Sequence, residues 1–223
     1  MIKALGAFIF IGIMLAFLIF TTPVTRLGSG FLVGDGMHVF TYHDLVKEAG
    51  ALNVKFPNED DIEAEVMFLD PASNLAILRL NKMPKVKRLP LVLSAKGLGP
   101  RSESVFTLGY PWTNTLEDQH VLIEGSADTS SMLIGLKMAL DPVHSGSPLF
   151  NSRQEVVGMV LLEAHAKAAF PVEASHHFAI PALLLEKAMK AGRIEKVAHP
   201  VENLSRDAFI SRSRNNIVLI EAR

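Results

Sequence analysis

The chain has 223 residues, 49% of them hydrophobic, and a formal net charge of -1 from 22 Lys and Arg against 23 Asp and Glu. That is enough length and apolar material for a full core, and the balanced charge, with no basic stripe, excludes nucleic acid as a partner. Cysteine is absent, so there is neither a disulfide framework nor a thiolate metal site.

The first segment is uncharged from Ala4 to Phe20 and preceded by Lys3. With its neutral flank it is about 19 residues long, and at ~1.5 Å per residue it is long enough for a hydrocarbon core of ~30 Å. A cleaved signal peptide is the rival reading, but its apolar region is shorter and Phe20-Thr21-Thr22-Pro23 offers no small-x-small cleavage site. The expectation is one transmembrane helix meeting membrane lipid through residues 4–20. The slight excess of positive charge before it places the N-terminus in the cytoplasm and the following domain outside, in an extracytoplasmic or periplasmic space.

Two short apolar runs, Gly28–Val33 and Met37–Thr41, flank a Gly34-Asp35-Gly36 turn and read as a β-hairpin. Leu52–Phe56 and Ile62–Leu69 read as further strands, and Asp70-Pro71-Ala72-Ser73-Asn74 leads into the apolar run Leu75–Leu80. The basic stretch holding Lys82, Lys85, Lys87 and Arg88 reads as a solvated loop, with lipid headgroups as the other reading. Strand-like runs follow at Leu89–Leu93, Ser104–Leu108 and His120–Ala127, with Gly109-Tyr110-Pro111-Trp112 as a turn whose tryptophan is read as packing. The stretch Asp141-Pro142-Val143-His144-Ser145-Gly146-Ser147-Pro148-Leu149-Phe150 has the form of a nucleophile loop opening a buried hairpin, paired with Glu155–Glu163. Phe178–Pro181 precedes a helical run over 182–191 that stops at Gly192, and Asn216–Ile220 has the character of a strand that pairs with an edge of its own sheet or of a partner.

Five of these segments, in order, resemble the trypsin-like serine proteases, and in particular the HtrA (Deg) family. They are Gly28-Ser29-Gly30-Phe31 with Thr41-Tyr42-His43-Asp44-Leu45-Val46, then Asn74-Leu75-Ala76-Ile77-Leu78, Gly109-Tyr110-Pro111, the serine loop, and Phe178-Ala179-Ile180-Pro181. The resemblance covers roughly residues 28–192. It implies an all-β fold of two six-stranded antiparallel β-barrels with a C-terminal helix, divided into an anchor and linker at 1–27, a protease-homology domain at 28–192 and a tail at 193–223.

The resemblance also assigns the site. Ser145 falls on the nucleophile, Asp44 on the histidine that serves as base, Asn74 on the aspartate that orients it, and Val143 on the glycine whose N–H helps to form the oxyanion hole. Serine needs an adjacent base near neutrality, an aspartate is too weak a base to replace imidazole, and Asp to Asn at the orienting position costs ~10⁴ in turnover in such triads. His43, one place early, is the alternative base if the turn loses a residue. His144, His176 and His177 with His43 and Asp44 offer metal-ligand chemistry only if their rings converge, so neither a metal nor any other cofactor is expected. Two readings follow: a catalytically inactive, membrane-tethered pseudoprotease that acts on protein partners by contact as an accessory or assembly subunit of a membrane complex, or a membrane-anchored serine endopeptidase using Ser145 with His43.

Overall fold

The computed structural model describes residues 25–86, 88–99, 102–110, 120–129, 132–169, 177–196 and 204–223. The expected anchor at 4–20, Trp112, His176 and Lys87 lie outside the described residues.

The opening hairpin forms where the Gly-Asp-Gly turn predicts it. Strand β1, Arg26–Val33, pairs with β2, His38–Tyr42, with Phe31 opposite Phe40. Gly34 and Gly36 both take positive φ, 61° and 83°, which glycine adopts without strain, and the Asp35 carboxylate accepts the Met37 N–H at 2.9 Å. One turn of helix, α1 (His43–Val46), follows, then β3 (Leu52–Lys55), β4 (Ile62–Asp70) and β5 (Leu75–Leu80). In the first part of β4, buried Ile62 and Ala64 alternate with exposed Glu63 and Glu65, the period-two pattern of a strand with one face on a core.

The second half of the chain supplies β6 (Glu103–Gly109), β7 (Val121–Asp128), β8 (Ile134–Lys137), β9 (Pro148–Asn151), β10 (Val156–Leu161) and β11 (His177–Pro181). Helix α2 (Glu163–Ala169) lies between β10 and β11, α3 (Ala182–Ala191) follows β11, and α4 (Arg206–Arg214) leads into β12 (Ile217–Ala222). All strand pairs are antiparallel. They close into two six-stranded barrels, ordered β1-β12-β3-β4-β5-β2 and β10-β11-β8-β7-β6-β9. Closure leaves neither sheet with an unpaired edge.

The strand read in the tail thus has its partners within the chain. It is inserted between β1 and β3, with Leu219 opposite both Ser29 and Lys55, and all six of its residues are buried. Two expected spans differ from the sequence reading. Leu89–Leu93, interrupted by Pro90, makes only an isolated parallel bridge, Leu93 to Val156, as it crosses between barrels. The run Glu155–Glu163 ends as a strand at Leu161, because an alanine-rich segment with high helix propensity turns on the Leu162 carbonyl, which accepts the N–H groups of His165 and Ala166. Two cations of the basic loop are paired locally: Lys85 with Asp60 and Arg88 with Glu59, each at 2.5 Å.

Candidate functional site

The serine loop is a tight 3₁₀ turn, Pro142–His144, and the N–H groups of His144 and Ser145 are already committed. The His144 N–H donates to the Asp141 carbonyl at 2.9 Å and the Ser145 N–H to the Pro142 carbonyl at 3.3 Å. The loop is stitched to the first barrel by Ser29, whose N–H donates to the Ser145 carbonyl at 2.9 Å and whose hydroxyl donates to the Val143 carbonyl at 2.7 Å. Val143 itself is buried in a small apolar cluster with Tyr110 and Leu219. A branched side chain at this position therefore anchors the loop from below.

Ser145 is fully buried, with 0% of its surface exposed. Its hydroxyl oxygen accepts the Leu162 N–H at 3.1 Å and lies 2.8 Å from Nδ1 of His165. When the hydroxyl donates to Nδ1, the imidazole proton is on Nε2. The sequence reading foresaw no imidazole at Ser145 except His43, and the structure supplies a different one. His165 is carried by α2, in the second barrel's β10–β11 connection, and its ring packs against Tyr42 with centroids 4.6 Å apart. Burial pushes the His165 imidazole below its ordinary range, and the nearby Asp44 charge opposes that shift.

Positions 44 and 74 do meet. Asn74 closes the 3₁₀ turn Pro71–Ser73 in the left-handed conformation, φ 48° and ψ 41°, and is 1% exposed. Its Nδ2 donates to Asp44 Oδ2 at 3.0 Å and to the His165 carbonyl at 2.9 Å, while its Oδ1 accepts the Asp44 N–H at 3.0 Å. Asp44 also pairs with Lys47 at 3.0 Å. Burial pushes the Asp44 carboxyl up, but Lys47, Asn74 and His43 together outweigh it and hold the group below its usual range. His43 turns to this cluster: its Nδ1 lies 3.5 Å from Asp44 Oδ1 and its main-chain N–H donates to the Asn74 carbonyl, while the partners of the Ser145 hydroxyl are Leu162 and His165.

Of the other histidines weighed as ligands, His176 lies outside the described residues, and His144 has His177 as an electrostatic neighbour. His144 Nδ1 accepts the Asp141 N–H at 3.0 Å, and burial lowers its proton affinity. Its Nε2 and the Nδ1 of His177 are buried without partners among the described residues. No group of three or more His, Asp or Glu among the described residues is placed to hold a metal ion.

Comparison with known proteins agrees with this fold. The trypsin-like peptidase domain family matches residues 28–159. This chain belongs to that family. Its HtrA-like character is carried by relatives such as a probable periplasmic serine endoprotease DegP-like of Pseudomonas putida strain GB-1, 30% identical over 139 residues, or 60% of this chain and 28% of the relative. The mitochondrial serine protease HTRA2 of Bos taurus is 30% identical over 160 residues, 67% of this chain and 34% of the relative. The chain thus matches about a third or less of these relatives' lengths. Among solved structures, the serine endoprotease from Yersinia pestis superposes with a TM-score of 0.58 at 22% identity, over 74% of this chain and 57% of that one, a likeness of fold.

Relative to the trypsin-like template, the fold and the serine are retained while the supports around the serine are rearranged. An oxyanion hole needs N–H groups aimed at the oxygen that becomes charged, and here the Ser145 N–H is spent on a carbonyl. A triad imidazole is held by a carboxylate on its second nitrogen, and among the described residues none bonds the His165 ring. Among the described residues, the serine and His165 form a hydrogen-bonded pair with no carboxylate on the second ring nitrogen. No spacing in the sequence marks His165, which stands twenty residues after the serine among alanines.

Proposed function

We propose that this protein is a membrane-tethered HtrA-like pseudoprotease that works by contact with protein partners and not by hydrolysis. One observation carries the reading: Ser145 has no exposed surface, and its hydroxyl is bonded on both sides, to the Leu162 N–H and to His165. The imidazole that reaches the serine rides on α2, the helix that follows Leu162 and closes over it. Moving that helix to admit a peptide removes the base, and leaving it in place excludes the peptide. The committed Ser145 N–H adds to the deficit, since loss of one oxyanion donor costs ~10²–10³ in turnover.

The tether is residues 4–20, whose uncharged length supports a spanning helix, and no helix among the described residues is long and apolar enough to cross a membrane. The folded part is extracytoplasmic in this reading, in keeping with relatives whose name carries the word periplasmic. A fold outlives its chemistry because activity resides in the site, and the barrels remain a rigid surface for an accessory or assembly role in a membrane complex.

A second reading, a serine hydrolase with His165 as base, is favoured by the 2.8 Å hydroxyl to imidazole contact. A fluorophosphonate probe separates the two on the full chain in mild detergent. The contact reading expects no labelling of folded protein. Labelling that disappears in Ser145→Ala and in His165→Ala replaces it with the hydrolase reading. Proteins that co-purify in the same detergent would then name the partner.

A further inference from the structure

Positions 44 and 74 are where the family's base and its orienting acid stand, and their replacement reads at first as decay. The local geometry is more specific than decay requires. Every polar atom of the Asn74 side chain is used: Oδ1 takes the Asp44 N–H, and the two hydrogens of Nδ2 go separately to the Asp44 carboxylate and to the main-chain carbonyl of His165. Both acceptors of Nδ2 carry only lone pairs. An aspartate at 74 would set a second carboxylate about 3 Å from that of Asp44 and from a carbonyl, with no hydrogen among them, and such an arrangement is repulsive in a buried setting. The amide is therefore what the present neighbours demand. Asp44 fits the same scheme, accepting from Asn74 and from Lys47 at once.

The bond to His165 crosses between barrels. Asn74 immediately precedes β5 of the first barrel, whereas α2 belongs to the second. His165 is held at both ends: its carbonyl by Asn74, its ring by Ser145 at Nδ1 and by the face of Tyr42. Three residues of the first barrel, Tyr42, Asp44 and Asn74, thus hold a helix of the second over the serine.

We propose that Asn74 is a positioning residue that, with Asp44 as its partner, latches α2 through the His165 carbonyl and so keeps Ser145 covered. The proposal rests on the closed-site reading above and gives it a cause. The orienting position has changed its object: it holds the imidazole by its main chain and no longer by its ring. It follows that restoring the family's acid at this position alone loosens the closure.

The test is Asn74→Asp in the full chain in mild detergent, read by amide hydrogen exchange and by NMR titration of the His165 ring. The expected result is at least about tenfold faster exchange confined to residues 162–169, together with a His165 pKa that rises toward the ordinary imidazole value as the ring is freed from its burial. Asn74→Ala, which removes both donors without adding charge, gives the same selective opening. The double variant Asp44→Asn with Asn74→Asp restores an amide to carboxylate contact between 44 and 74 but supplies no donor to the His165 carbonyl, so the segment stays open. Unchanged exchange and titration in the single variants, closure regained in the double, or a uniform rise across both barrels would each overturn the latch. Fluorophosphonate labelling of the unmodified chain tests the closed-site reading separately.

Discussion

Val143 of the serine loop and Leu219 of the last strand are buried in one apolar cluster with Tyr110. The serine loop thus rests on the C-terminal strand of the other barrel. Leu219→Ala is expected to lower stability by ~2–4 kcal/mol, the usual cost of truncating a buried leucine. Deleting residues 217–223 goes further, because β1 and β3 both lose the strand that joins them and barrel 1 opens along two unpaired edges. Urea denaturation of the point variant and limited proteolysis of the truncated one check the two expectations.

Gly146 is fixed by sterics. It has φ of +93°, and a Cβ built on it would collide with the Ser29 carbonyl. Gly146→Ala must therefore both enter a region that L side chains avoid, at roughly 1–3 kcal/mol, and push the loop off β1, breaking the Ser29 to Ser145 backbone bond. The outcome is a loss of stability well beyond the conformational term alone, measured as a fall in the urea midpoint at unchanged slope.

How far this was legible in the sequence follows from the range of each signal. The opening hairpin was readable because the Gly34-Asp35-Gly36 turn and its flanking apolar runs are local, and Phe178-Ala179-Ile180-Pro181 stands out as a contiguous motif. The tail strand was readable as a strand, but its place between β1 and β3 depends on two edges far away in the chain. His165 was not readable at all. Its role depends on the Asn74 amide and the Tyr42 ring, which lie about a hundred residues earlier and are joined to it only by folding. In sequence Asn74 reads as the loss of an orienting acid, whereas its gain of two donors shows only in three dimensions.

Ser145→Ala separates a buried structural serine from a solvated nucleophile. Removing the hydroxyl leaves the Leu162 N–H and His165 Nδ1 without the partner that both now use. Leaving buried polar groups unsatisfied costs ~1–3 kcal/mol, which for a protein of this size lowers the melting temperature by roughly 2–4 °C per kcal/mol. Calorimetry of the variant gives the answer directly, and an unchanged or raised melting temperature would show that the hydroxyl is not holding the loop shut.

Acid should weaken the fold in two stages. Burial holds the imidazoles of His165 and His144 below their ordinary range, so the unfolded chain binds protons at these positions more readily than the folded one. Their contribution is fully present above the unfolded imidazole pKa of ~6.5 and is lost as pH falls through the lower folded values. A second loss begins near the ordinary carboxylate range. Glu221 is held low by Lys55, against its burial and with help from Arg223, and Asp44 is held low by Lys47 and Asn74 in spite of burial. These groups stabilise the fold above their unfolded pKa values and cease to do so as pH falls through the folded ones. Urea midpoints measured from pH 8 to pH 3 should therefore decline first just below pH ~6.5 and again below pH ~4. Replacing His165 with Asn removes part of the first decline and leaves the second in place, whereas a profile in which both stages persist unchanged would mean that His165 is solvated in the native state.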